Sequence, residues 1–331
     1  MISLHSILRF NVLLSKSCMN WNRSIFKWIV LCLVLSLSGC SSYHPAYSNY
    51  PLQNLRYEYH RDAPVRNGNI EYYRFGTGSP IVLIPGYLTD VSSWDRNFLV
   101  ALAQHHDVIV INNRNVGRSA ISSSHYDSKD LAEDTSQLIQ VLDLKKPAVL
   151  GISMGGMIAQ QLAVLHPKEV GSLILINTFI AGSKAIRPSS QVQQKMSELP
   201  SNVVGRYIFA MNLFFPSSSR MQMSYELIAN RFLPPDYKPL EAQAVITQQQ
   251  SLVKNWLEDN VTSAKLSHTN LPVLILNGES DAIIPPVNST VLANTYNHSQ
   301  LVRWKEGGHA MIYQFPEQLA DTINQFLNSS E

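Results

Sequence analysis

Pro147-Ala148-Val149-Leu150-Gly151-Ile152-Ser153-Met154-Gly155-Gly156-Met157-Ile158-Ala159-Gln160-Gln161-Leu162-Ala163 runs from a short aliphatic stretch, through glycines flanking one serine, into a helical pattern. A serine held on a sharp strand-to-helix turn needs glycine neighbours, because only glycine lets adjoining chain pass so close. The pattern makes Ser153 the candidate nucleophile. An ordinary tight turn would carry the same small residues, so the reading depends on what surrounds it.

Outward from this turn, short apolar runs alternate with helix-like segments. Ile81-Val82-Leu83-Ile84, Val108-Ile109-Val110-Ile111, Ser172-Leu173-Ile174-Leu175-Ile176 and Val273-Leu274-Ile275-Leu276 read as buried strands. Residues 56–60 and 69–75 read as edge hairpin strands. Leu131, Leu138 and Leu142 keep one helical face, as do Ile158, Leu162 and Leu165, and Leu319, Ile323, Phe326 and Leu327 follow amphipathic spacing. Uniformly apolar strands alternating with helices predict an α/β fold, a mostly parallel sheet with helices on both faces.

The alternation stops across residues 181–263, where prolines at 188, 200, 216, 234, 235 and 239 separate helix-like pieces. So long an excursion is not a plain loop. It reads as an inserted helical cap, with the core formed by residues 55–180 and 264–331. Within it Tyr207, Ile208, Phe209, Met211, Leu213, Phe214 and Phe215 form an apolar cluster that either lines an acyl pocket or seats the cap on the core.

A serine hydroxyl needs a base to take its proton, and the base needs a carboxylate to orient it. The loop after the strand at 273–276 reads Asn277-Gly278-Glu279-Ser280-Asp281, and Gly307-Gly308-His309 follows a further strand candidate, Gln300-Leu301-Val302-Arg303-Trp304. Both loops lie at carboxyl ends of strands, where open α/β sheets bind ligands. Asp281 is the favoured acid, with Glu279 the alternative and helix capping the structural one. His309 is the favoured base. Of the other histidines, His105 and His106 suit a surface turn. Developing charge on an attacked carbonyl oxygen calls for backbone N–H donors. Met154 N–H should supply one and Tyr87 N–H the other, Leu88 being the alternative. No histidine pair shows metal-ligand spacing with a carboxylate or cysteine, so no metal is expected, and cleavage through a serine acyl-enzyme implies no cofactor.

The first 39 residues differ from the rest. Their only charges are Arg9, Lys16, Arg23 and Lys27, and Trp28-Ile29-Val30-Leu31-Cys32-Leu33-Val34-Leu35-Ser36-Leu37 is shorter than the ~20 residues of a spanning helix. It reads as a signal-peptide core. Met19 opens a compact version of that signal and is the expected start. Leu37-Ser38-Gly39-Cys40 resembles the lipobox of bacterial lipoproteins, which implies lipidation at Cys40; plain cleavage after a small residue is the alternative. Ser41 after the cysteine resembles proteins sent to the outer membrane. Residues 40–54 then read as a polar, proline-punctuated tether.

Removing residues 1–39 leaves 292 residues with 22 basic and 24 acidic side chains, a balance without the basic excess that nucleic acid demands. Of Cys18, Cys32 and Cys40 only the last remains, so disulfides are not expected and a conventional core must suffice. Oligomeric state is not legible.

Together these motifs resemble the α/β-hydrolase superfamily, of the capped type that includes carboxylesterases, lipases and enol-lactonases. The similarity spans residues 65–330: Pro85-Gly86, Asn113-Arg114-Asn115-Val116-Gly117-Arg118-Ser119, residues 151–156, residues 278–281 and Gly308-His309. It implies a Ser-His-Asp triad, an acyl-enzyme and a small-molecule or lipid ester substrate, with lactones, amides or carbon–carbon bonds as alternatives. A lipid-anchored binding protein on the same scaffold is the non-enzymatic alternative. Two departures stand out. Pro85-Gly86 replaces the His-Gly of many relatives in the oxyanion loop, and Asn113-Arg114-Asn115 stands where many have Asp-x-Arg-Gly.

Overall fold

The computed structural model describes residues 59–330 apart from 122–124, 199 and 201. The signal segment, Cys40 and the tether up to residue 54 lie outside the described residues.

The strands are β1 (Arg61–Val65), β2 (Gly68–Phe75), β3 (Ser79–Ile84), β4 (His106–Ile111), β5 (Ala120–Ile121), β6 (Ala148–Ile152), β7 (Ser172–Ile176), β8 (Val273–Gly278) and β9 (Ser299–Trp304). The helices are α1 (Arg96–Ala103), α2 (Ser128–Val141), α3 (Met154–Leu165), α4 (Ser190–Ser197), α5 (Val203–Phe214), α6 (Arg220–Ala229), α7 (Ala242–Trp256), α8 (Asn260–Leu266), α9 (Val287–Thr295) and α10 (Pro316–Ser330). The strands all lie in one sheet ordered β1-β2-β4-β3-β6-β7-β8-β9, with β5 paired to β2. From β4 to β9 every pairing is parallel; β2 pairs antiparallel with β1, β4 and β5.

Alternation along each central strand divides the core in two, since successive side chains leave opposite faces. Val82 and Ile84 of β3 join Leu131, Leu138, Ile158 and Leu162 of α2 and α3 on one face. Ile81 and Leu83 join Phe98, Leu102, Leu319 and Ile323 of α1 and α10 on the other. Covering both faces explains why these strands are apolar throughout. Helix starts follow capping chemistry: Asp127 and Asp130 form a capping box on α2, and Asp95 caps α1 through Phe98 N–H.

The first described strand runs over residues 61–65; of the strand expected at 56–60, residues 59 and 60 precede it and residues 56–58 lie outside the described residues. Val65 pairs with Gly68 across a two-residue turn in which Asn67 takes a φ of 69°, and that turn sets the register. Pro64 is tolerated because β1 is the outermost strand. His106 is no surface residue. It begins β4, is buried, and its Nε2 lies 3.0 Å from Asn324 Oδ1 of α10.

Between β7 and β8 come helices α4–α8; among the described residues the only β contact there is a bridge from Arg231 to Asp95. Phe232 packs edge-on to Tyr73 at 5.5 Å, while Leu252 and Trp256 enter the opposite core. The apolar cluster divides: Met211, Leu213 and Phe215 are buried, whereas Ile208 is exposed.

Candidate active site

The chain passes from β3 to β4 on one side and places β6 on the other side of β3, so the strand order reverses between β3 and β6. A crevice at the carboxyl ends of strands opens at such a point. Two segments meet there: the loop after β3 and the turn after β6.

Ser153 occupies that turn with φ 55° and ψ −119°, a conformation costly for a residue with a Cβ, and it leads directly into α3. The neighbouring glycines are required by contact. A Cβ on Gly151 would come within 2.3 Å of Gly155 O, and one on Gly155 within 2.1 Å of Ile84 O. Ser153 N–H donates to Ile176 O at 3.0 Å and Thr178 Oγ1 donates to Ser153 O at 2.6 Å, so the end of β7 holds the turn from below.

Asp281 is buried in the loop after β8. Its Oδ1 accepts from the N–H groups of Ile283 and Ile284 at 2.8 and 2.9 Å, leaving Oδ2 2.8 Å from His309 Nδ1. Glu279 is exposed, and Asp281 does not cap α9, whose cap position is Pro286. His309 follows β9 on its loop, its ring centroid 5.8 Å from that of Phe214 at the end of α5.

Asn177, which no motif singled out, joins these parts. Its Nδ2 donates to the carbonyls of Gly308 and His309, each at 3.0 Å, while its Oδ1 accepts from Gly278 N–H and Asn277 Nδ2. Residues 176–178 therefore touch Ser153 on one side and the acid and histidine loops on the other. The available signal was a polar pair, Asn177-Thr178, at the carboxyl end of an otherwise apolar strand.

In the loop after β3, a Cβ on Gly86 would sit 3.5 Å from Ser153 Cβ, so this backbone passes directly over the serine. Thr89 Oγ1 donates to Gly86 O at 2.9 Å and Asn113 Nδ2 to Pro85 O at 3.4 Å. Leu88 N–H donates to Gln249 Oε1 at 2.7 Å. That commitment favours Tyr87 as the donor available to a ligand. Met154 occupies the first position of α3, where its N–H has no intrahelical acceptor.

The loop of residues 112–119 is held from beneath by buried Glu71. Its Oε2 accepts from Asn112 Nδ2 and Arg118 N–H, each at 2.7 Å, and its Oε1 from the Tyr73 hydroxyl. Arg114 makes a two-pronged pair with Asp134, both contacts 2.8 Å, and its guanidinium lies 5.8 Å from the centre of the Tyr126 ring. Burial raises the Asp134 carboxyl, and Arg114 opposes it.

A family model described as alpha/beta hydrolase fold matches residues 79–316. A protein of Synechocystis sp. that carries the name non-heme chloroperoxidase is 27% identical over 265 residues, 78% of this chain and 95% of that protein. One of Yersinia enterocolitica that carries the name carbamate hydrolase RutD is 27% identical over 232 residues, 69% of this chain and 80% of the relative. Among solved structures, one from Acinetobacter baumannii that carries the name lipase lip1 superposes with a TM-score of 0.68 at 19% identity, covering 88% of this chain and 99% of its own. A thermophilic esterase from Thermogutta terrifontis superposes with a TM-score of 0.66 at 23% identity, covering 82% and 98%. These structural likenesses establish the fold.

Proposed function

The chain belongs to the alpha/beta hydrolase fold family, and from that premise we propose that it is a serine hydrolase cleaving carboxylic esters. The observation that carries this reading is the 2.8 Å contact between His309 Nδ1 and Asp281 Oδ2, tied through residues 176–178 to the strained turn of Ser153.

In this reading His309 Nε2 removes the Ser153 proton as Oγ attacks the ester carbonyl, and Asp281 holds the ring and stabilises its cationic form. The carbonyl π electrons move to oxygen, which receives hydrogen bonds from Tyr87 and Met154 N–H. As the tetrahedral centre collapses, the carbon–oxygen bond breaks and His309 returns its proton to the departing alcohol. Water then attacks the Ser153 ester, its proton passing through His309, to release the acid. The N-terminal segment extends the proposal: export, lipidation at Cys40, and outer-membrane placement of a core of residues 55–180 and 264–331 that carries a cap of residues 181–263.

A fluorophosphonate probe tests the chemistry. Labelling of the wild type but not of Ser153→Ala is expected; a folded, unlabelled wild type would support a binding protein instead. A panel of p-nitrophenyl esters of increasing acyl length, with lactones, carbamates and aryl amides beside it, then reads the substrate class. Incorporation of labelled palmitate into the full chain, lost in Cys40→Ser, tests the anchor.

A further inference from the structure

We infer that Gln249, on cap helix α7, is a positioning residue that sets the oxyanion loop; this rests on the hydrolase reading above. The loop of residues 85–88 has no histidine support of its own, and Leu88 sits at φ 49°, a left-handed conformation uncommon for any residue with a Cβ. Two side chains of the core, Thr89 and Asn113, fasten its first half through Gly86 O and Pro85 O. The second half is fastened from the cap. Gln249 is fully buried, and its Oε1 accepts the Leu88 N–H at 2.7 Å.

Burial raises the Tyr87 phenol, and Gln250, the next residue along α7, opposes that rise. Burial pushes the Tyr126 phenol up to about 12, opposed by the Gln249 amide and the Arg114 guanidinium. Neither the Tyr126 hydroxyl nor Gln249 Nε2 has a hydrogen-bond partner among the described residues, so the Gln249 amide is fastened through its Oε1 contact with Leu88 N–H.

Its consequence is directional. With Leu88 N–H turned to Gln249, the preceding peptide is set and Tyr87 N–H is the donor left for an oxyanion. A substrate carbonyl gains from this only as charge develops on its oxygen, so Gln249 should act on kcat more than on KM. The cap in this protein both covers the site and supplies part of the force that aims it.

The test uses the full chain with Gln249→Met, which keeps shape without an acceptor, and Gln249→Glu, which keeps an acceptor oxygen. For Gln249→Met, kcat on a p-nitrophenyl ester should fall on the order of 10- to 100-fold with KM within about twofold. Affinity for a phenylboronic acid, whose serine adduct carries the oxyanion, should fall in parallel. Gln249→Glu should restore most of both. Amide hydrogen exchange read by mass spectrometry should quicken over residues 85–90 in Gln249→Met alone. Unchanged exchange there, or unchanged kcat and boronate affinity in a folded Gln249→Met, overturns the inference. So does a loss that Gln249→Glu fails to recover. A wild type that neither hydrolyses esters nor takes a fluorophosphonate sinks the hydrolase reading separately, and the exchange measurement still decides whether Gln249 holds the loop.

Discussion

Asp281 divides its two oxygens between two tasks: Oδ1 takes the N–H groups of Ile283 and Ile284, and Oδ2 faces His309 Nδ1 at 2.8 Å. The backbone contacts keep the carboxylate from rotating, so the imidazole meets a fixed acceptor, and in the proposed mechanism Nε2 is the nitrogen that acts as base. In Asp281→Asn the Oδ1 contacts survive, but an NH₂ group turns to Nδ1 and reverses the tautomer. We predict a fall in kcat on the order of 10³- to 10⁴-fold with a near-normal Tm. Glu279→Gln, at an exposed position, should stay close to the wild type. Equal losses in the two variants would remove Asp281 from its proposed role.

Ser153 at φ 55° and ψ −119° stores backbone strain. Ser153→Gly and Ser153→Ala should both be inactive, yet the glycine variant should be the more stable by about 1 kcal/mol, because relief of strain exceeds the added freedom of its unfolded chain. Urea unfolding of the two inactive variants compares them directly. If alanine proves equal or better, the turn is not strained.

Asp95 is fully buried at the start of α1; Phe98 N–H reaches its Oδ1, and Oδ2 has no hydrogen-bond partner among the described residues. Burial raises its carboxyl to about 7 from 3.8 in spite of the helix amides. A folded-state value above the unfolded one means that the stabilising contribution is complete below pH 3.8 and is lost as pH rises through about 7. The shift corresponds to at most roughly 4 kcal/mol. Asp95→Asn retains the helix cap and removes the ionisation, so it should gain on the wild type steadily from about pH 4 to about 7 and then hold that gain. Parallel urea midpoints for the two proteins over that range would falsify this.

Much of the site was legible as local pattern. The strand, glycine-flanked serine and helix at residues 147–163 are dictated by backbone sterics over a few residues, and the apolar runs at 81–84, 108–111, 172–176 and 273–276 appear as strands of one sheet. Local pattern failed where a distant partner decided. His106 looked like a turn residue because Asn324, its partner from α10, is 218 positions away.

The residue order therefore determined which chemistry the chain could hold: an alcohol on a tight turn, then a carboxyl loop, then an imidazole loop, each after an apolar strand. Tertiary structure decided between close alternatives: Asp281 rather than Glu279 meets the histidine, and Leu88 N–H is spent on Gln249. It alone brought in Asn177, 132 positions from His309, and Gln249, 161 positions from Leu88. The physical reason is that sterics and hydrophobic periodicity act between neighbours in the chain. The direction of one hydrogen bond between distant segments is settled only when the packed core brings both ends together.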